Sequence, residues 1–293
     1  MPAAGVLLIV LAAATWGTTG STMKLVARDS PMSPLLVGFF RMAIAAPCLV
    51  LVALVAGGPL RLPAAADRWR LAAGGVSMAA YQVCYFWGVA KTSVAVAALI
   101  AICSAPIFIV GLAALVLRER ITAAMAAALA GGVTGAALLT LGPHGLAALP
   151  AGYAAGVALA LGAGFSYAVY AVVVKELMGR LPPLPVAALT FSIAAVVLVP
   201  ALATERVVAG PVAWALLVYL GVVPTALAYV LYVLGLRTTP VAASGVLALV
   251  EPLTATVLGV LAFGDRLGAL GALDAALLVG SVGLLSLQPS RPS

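Results

Sequence analysis

The chain has 293 residues, of which 65% are hydrophobic and only 8% charged. So few charges cannot cover the surface of a water-soluble protein of this size, so the composition excludes a soluble enzyme and points to a membrane-embedded fold. The net charge of +7 comes from fifteen Lys and Arg scattered singly or in pairs at segment ends, a distribution that orients helices and leaves no basic stripe for a nucleic acid.

Apolar runs bounded by charges, prolines and glycines predict ten transmembrane spans, each near the roughly 20 residues that cross the hydrocarbon core. The first, 5–25, contains Trp16-Gly17 and Lys24. No charged leader or cleavage site precedes it, so it is expected to be retained. The second, 34–56, holds Phe40-Arg41, and the third, 70–90, holds Tyr81 and Tyr85 on one helix face with Gly88. A very short loop leads to the fourth, 94–117, with Ser104 and Pro106, and then to the fifth, 122–141, with Gly131-Gly132 and Gly135. A Gly/Pro segment, 142–151, separates this first unit (1–141) from a second (152–288), and a polar tail follows at 289–293. The second unit begins with 152–175, carrying Tyr167 and Tyr170, and 184–203. It continues through 212–235, with Pro224, Tyr229 and Tyr232, and another tight join to 241–262, with Ser244 and Glu251-Pro252. The last span, 268–287, holds Asp274.

The two units are copies. Pro106 recurs as Pro252 and Arg118-Glu119-Arg120 as Gly264-Asp265-Arg266, both 146 residues on. The offset drifts to 147 at Gly88/Gly235 and to 151 at Trp16/Tyr167 and Lys24/Lys175, as short loop insertions would leave it. Five spans per copy is an odd number, so the copies are expected to lie inverted across the membrane plane, an arrangement that points to transport. With both termini cytoplasmic, nine Lys and Arg fall at inner ends and tail against five at outer ends, which favours that orientation.

Glu251 is the sharpest single residue. An ionised carboxylate inside an apolar span is costly and must face a cavity or a partner. Two readings stay open: a proton acceptor or contact for a substrate ammonium, or a structural carboxylate bonded to a neighbouring helix. Arg41 is read as snorkelling outward or bonding backbone carbonyls, and Asp274 as structural. Six of the eight tyrosines (Tyr81, Tyr85, Tyr167, Tyr170, Tyr229 and Tyr232) fall inside spans. Their hydroxyls need partners or water, which favours a polar-lined interior suited to a flat, partly apolar ligand or a cation. Pro106, Pro224 and Pro252 interrupt the backbone ladder and are hinge candidates or static kinks. Cys48, Cys84 and Cys103 have unrelated spacings and read as packing residues. The single histidine, His144, falls in the middle segment, which leaves neither a zinc set nor a hydrolase triad at depth. No metal, cofactor or enzymatic role is expected.

These landmarks in this order resemble the EamA-type branch of the drug/metabolite transporter superfamily. The resemblance runs from Trp16-Gly17, Lys24 and Phe40-Arg41 through Gly88-Val89-Ala90-Lys91-Thr92-Ser93, Pro106 and Arg118-Glu119-Arg120. It repeats through Gly235-Leu236-Arg237-Thr238-Thr239-Pro240, Glu251-Pro252 and Gly264-Asp265-Arg266. The resemblance implies an all-α integral membrane protein of ten helices in two inverted five-helix repeats around a central cavity. It also implies export of small metabolites across a bacterial inner membrane, with both termini cytoplasmic. Within the family the chain looks most like the YddG-type aromatic amino-acid exporters. On that likeness Trp16, Tyr81, Tyr85, Tyr167 and Tyr229 are expected to contact the substrate, an aromatic or other hydrophobic amino acid or a flat organic cation. Ser104, Ser244 and Glu251 are expected as polar contacts, with Glu251 also the candidate proton site. Where Glu251 stands in the second copy, the first has Ala105, so any proton site is single. Alternatives are a carrier of the same type for another metabolite or drug, and a channel. Partners are the bilayer and a small molecule, with a monomer as the simplest assembly.

Overall fold

The computed structural model describes residues 3–56, 63–92, 94–141, 152–203, 206–263 and 280. Among these, every regular element is a helix. The first expected span is two helices, α1 (Ala3–Trp16) and α2 (Thr18–Asp29), separated at Gly17. Spans two to five are α3 (Pro34–Ala56), α4 (Ala65–Lys91), α5 (Val94–Val116) and α6 (Ala123–Leu141). Spans six and seven are α7 (Tyr153–Met178) and α8 (Pro183–Val197), the latter extended by a 3-10 turn over Val199–Ala203. Span eight is α9 (Pro211–Gly221), a π-helical turn (Val222–Leu227) and α10 (Ala228–Leu236). Span nine is likewise split, into α11 (Val241–Leu247) and α12 (Val250–Phe263). The tenth span with Asp274, the segment 142–151 with His144, and the tail 289–293 lie outside the described residues, Gly280 excepted.

Local chemistry explains the ends. Proline opens α3, α8 and α9, where a missing N–H costs nothing because the first turn has no intrahelical acceptor for it. Ser33 and Thr122 accept from the amides of Leu36 and Met125 at the starts of α3 and α6. Helix α5 ends with Arg118 at φ 55° and a bond from the Glu119 amide to the Ala113 carbonyl. That left-handed residue and wide closure turn the chain off the helix and send the Glu119 side chain away from the helix end.

Seven helical stretches among the described residues are long and apolar enough to cross a membrane. Leu51, Val55, Leu115 and Leu261 are exposed on the outside, as a surface solvated by lipid tails requires. The core lies between the two halves of the chain. Helix α4 packs along α7, and α1 along α10; α5 runs against α7, and α12 against α1 and α2. Helix α3 crosses α8, and α5 meets α11. Each half therefore depends on the other for its buried face.

Candidate substrate cavity

Three breaks in the helices converge at mid-bundle and set the side chains of the cavity. Gly17, between α1 and α2, touches the start of α12: a Cβ added there would lie 2.6 Å from the Glu251 carbonyl oxygen and from Thr254 Cβ. The break between α11 and α12 puts Glu251 in the first turn of α12, where the helix dipole favours a carboxylate. Pro252 sits one residue further along, where no backbone donor is needed, so the interruption precedes it rather than following from it. In the third break, the π turn, Thr225 Oγ1 donates to the Leu220 carbonyl at 2.7 Å. That turn receives Arg41 from α3: Nε donates to Thr225 Oγ1 at 2.6 Å and Nη2 to the Pro224 carbonyl at 3.3 Å. Arg41 therefore turns inward and is buried. Of the two fates expected for it, it follows the bonding one, across the halves, because the π turn frees acceptors facing α3.

The first two breaks border a cavity of about 170 Å³, and the third holds Arg41 on its wall. An engineered apolar cavity of about 150 Å³ holds benzene, so the space admits one aromatic side chain. Its wall includes Trp16, Tyr81, Tyr85, Phe86, Tyr167 and Tyr229, with Arg41 and Glu251 as the charged members. Tyr81 and Tyr85 stack at 6.0 Å, Tyr81 meets Tyr167 at 5.9 Å, and Trp16 meets Tyr229 at 5.3 Å. Thr19, Gly20, Met23, Ala98 and Ala255 also line the cavity, and Gly20 and Ala255 are exposed. It therefore faces the end of the bundle where α2 finishes and α5 begins. The Glu251 carboxylate is half-buried and makes no hydrogen bond or ion pair among the described residues.

The opposite end is sealed. Gly245 packs on Ile109 as the cavity floor. Behind it, the fully buried Tyr232 shares a hydrogen bond with Ser244 at 3.2 Å and touches Trp16 at 5.3 Å. Glu119 Oε1 and Oε2 accept from the Val241 and Ala242 amides at 2.9 and 3.0 Å. Lys175 Nζ donates to the Leu236 carbonyl and, at 2.9 Å, to that of Thr239. Gly5 and Gly235 let α1 and α10 cross closely, since a Cβ on Gly235 would lie 2.8 Å from the Gly5 carbonyl oxygen. Ion pairs Arg70–Glu176 at 2.9 Å and Arg180–Asp67 at 2.8 Å join α4 to the end of α7 and to the turn after it, at the same end.

Trp16, Tyr81, Tyr85, Tyr167, Tyr229 and Glu251 thus share one cavity wall. Ser104 and Ser244 do not, contrary to expectation. Ser104 packs on Gly164 and bonds the Ala101 carbonyl, while Ser244 donates to the Val241 carbonyl at 2.7 Å and has no exposed surface. Each hydroxyl bonds its own helix, which suits a serine at a helix–helix contact. Pro106 lies inside the uninterrupted α5, on the cavity wall. Arg41 is the wall residue that sequence reasoning assigned elsewhere. An arginine opposite an intramembrane carboxylate was the signal for it.

The sequence profile of the EamA-like transporter family matches this chain twice, over residues 3–141 and 154–287. The chain is 33% identical over 288 residues to the uncharacterized transporter YwfM of Bacillus subtilis, spanning 97% of this chain and 94% of that protein. It is 32% identical over 239 residues to a probable terminal-alkyne amino-acid exporter of Streptantibioticus cattleyicolor, spanning 79% and 78%. A solved crystal structure shares the fold at a TM-score of 0.83 and 24% identity, covering 96% of this chain and 95% of its own.

Proposed function

Because the chain belongs to the EamA-like transporter family, and so is a multi-pass membrane transporter, we propose that it exports aromatic and other hydrophobic amino acids by alternating access. The observation that carries this reading is the cavity: a cage of aromatic rings beside one cation and one carboxylate, reachable from one end of the bundle and closed at the other. The likeness to a probable terminal-alkyne amino-acid exporter supports the amino-acid part. In this reading the chain forms two inverted five-helix repeats with both termini cytoplasmic in a bacterial inner membrane. Exchanging the halves turns each major helix contact into another of the set: α4 on α7 into α10 on α1, and α5 on α7 into α12 on α1. That interchange supports a pseudo-twofold relation. With the termini inside, the state described is open outward, and one chain encloses the cavity without a partner.

Rocking of one half against the other seals the open rim and parts the Glu119 contacts and the Arg70–Glu176 and Arg180–Asp67 ion pairs, all of which cross between the halves. The breaks at Gly17, Pro224 and before Pro252 are where helices bend at least cost. Glu251 serves as the coupling group: a proton and the substrate ammonium compete for one carboxylate, so substrate leaves as a proton enters. The test is uptake of labelled phenylalanine, threonine and lysine into proteoliposomes. Phenylalanine is expected to be transported and to show trans-stimulation by unlabelled phenylalanine. Equal rates for all three, or no phenylalanine transport, defeats the aromatic assignment, and single-channel conductance defeats the carrier.

A further inference from the structure

The cavity holds two opposite charges that the protein does not pair with each other. Arg41 is tied by two nitrogens to neutral acceptors, the Thr225 hydroxyl and the Pro224 carbonyl, and its Nη1 makes no hydrogen bond among the described residues. Glu251 has only its position in the first turn of α12 to offset its charge. No ion pair joins them among the described residues, although both line the same cavity as Tyr81 and Tyr85. Charges at membrane depth ordinarily pair with one another or line a route for polar cargo.

We infer that Arg41 and Glu251 are the two poles of a zwitterion site, with the guanidinium holding the carboxylate and Glu251 the ammonium of a single α-amino acid. The side chain of that amino acid lies among Trp16, Tyr81 and Tyr85. This inference rests on the amino-acid reading above and narrows it. A monocarboxylate or an organic cation satisfies one pole and leaves the other buried and uncompensated, whereas a zwitterion satisfies both. The Thr225 and Pro224 contacts fix the guanidinium plane, so the remaining nitrogen is presented without the entropy cost of ordering a free arginine.

The experiment measures displacement of labelled phenylalanine from the purified full-length protein by phenylalaninamide, 3-phenylpropionate and leucine. Each one-pole analogue is expected to bind about 10- to 100-fold more weakly than phenylalanine, the weight of one lost charge-assisted contact. Arg41→Gln should weaken phenylalanine by a similar factor and leave phenylalaninamide, which has no carboxylate, unchanged. Glu251→Gln should do the reverse, sparing 3-phenylpropionate. If phenylalanine and both analogues bind alike, the poles are refuted while the aromatic cage stands. If leucine binds directly and phenylalanine does not, the cage is refuted while the poles stand. Arg41→Gln weakening amide and amino acid equally marks a structural residue and overturns the inference. The wild-type analogue series decides the matter even where a variant does not fold.

Discussion

Removing one oxygen from Glu119 should loosen the sealed end by a calculable amount. In the state described, its two carboxylate oxygens accept from two adjacent amides at the start of α11. Glutamine keeps the shape but has one acceptor, so Glu119→Gln loses one charge-assisted bond and turns an NH2 toward an N–H donor. A hydrogen bond to a charged group contributes about 1.5–3 kcal/mol. Glu119 is partly exposed, so solvent screening places the loss near the lower end of that range. A loss of about 1.4 kcal/mol is a tenfold change in an equilibrium constant. The opening equilibrium of the sealed end should therefore rise about tenfold. The assay replaces Cys48, Cys84 and Cys103 by alanine, introduces Ser244→Cys behind the seal, and follows labelling by a membrane-impermeant maleimide. Ser244 has no exposed surface in the closed arrangement, so its labelling rate reports the open fraction. A Glu119→Gln protein that remains folded and labels at the parental rate would show that the carboxylate does not hold this end shut.

Gln82 is fully buried on α4 with neither side-chain polar atom bonded among the described residues. Gln82→Met should therefore raise stability by about 1–3 kcal/mol, seen as a higher melting temperature in detergent. Arg118→Gly should add about 1 kcal/mol, because φ 55° strains a side-chain-bearing residue and not glycine, and the second copy already carries Gly264 at that position. Gly17→Val should abolish transport with the protein still inserted, since its side chain meets the first turn of α12, as read by uptake beside a gel-filtration profile. Glu251→Gln should remove the response of transport to a pH gradient while exchange at saturating phenylalanine persists. A wild-type protein indifferent to the gradient makes this a passive carrier instead.

Among the described residues helices lie where the first nine apolar runs were expected, because an apolar run between charges is a one-dimensional signal, and lipid demands it of the sequence. The interruptions were only half legible. Pro224 and Pro252 flagged the right neighbourhoods, but the break before Glu251 falls at Ala248–Leu249, and the proline merely tolerates it. Ring placement was readable for the cavity wall, since tyrosines three or four apart share a face. The expectation carried over from the family likeness failed for Ser104 and Ser244, whose faces point at Gly164 and Tyr232 rather than at the space. The partners of Arg41 are 183 and 184 residues away, so no local pattern carries them. The Arg118-Glu119-Arg120 landmark was visible as a repeat, whereas its grip on α11 needed the fold.

The seal at the closed end holds main chain rather than side chain. Glu119 takes two amides and Lys175 two carbonyls of the turn 236–242. Those four atoms are the same whatever residues occupy the turn, proline apart. Mutation can therefore rewrite the chemistry of that turn, adjusting what brushes past an entering solute, without undoing its main-chain contacts. The grip on that turn falls on two positions, and the residues of the turn itself are left free to diverge.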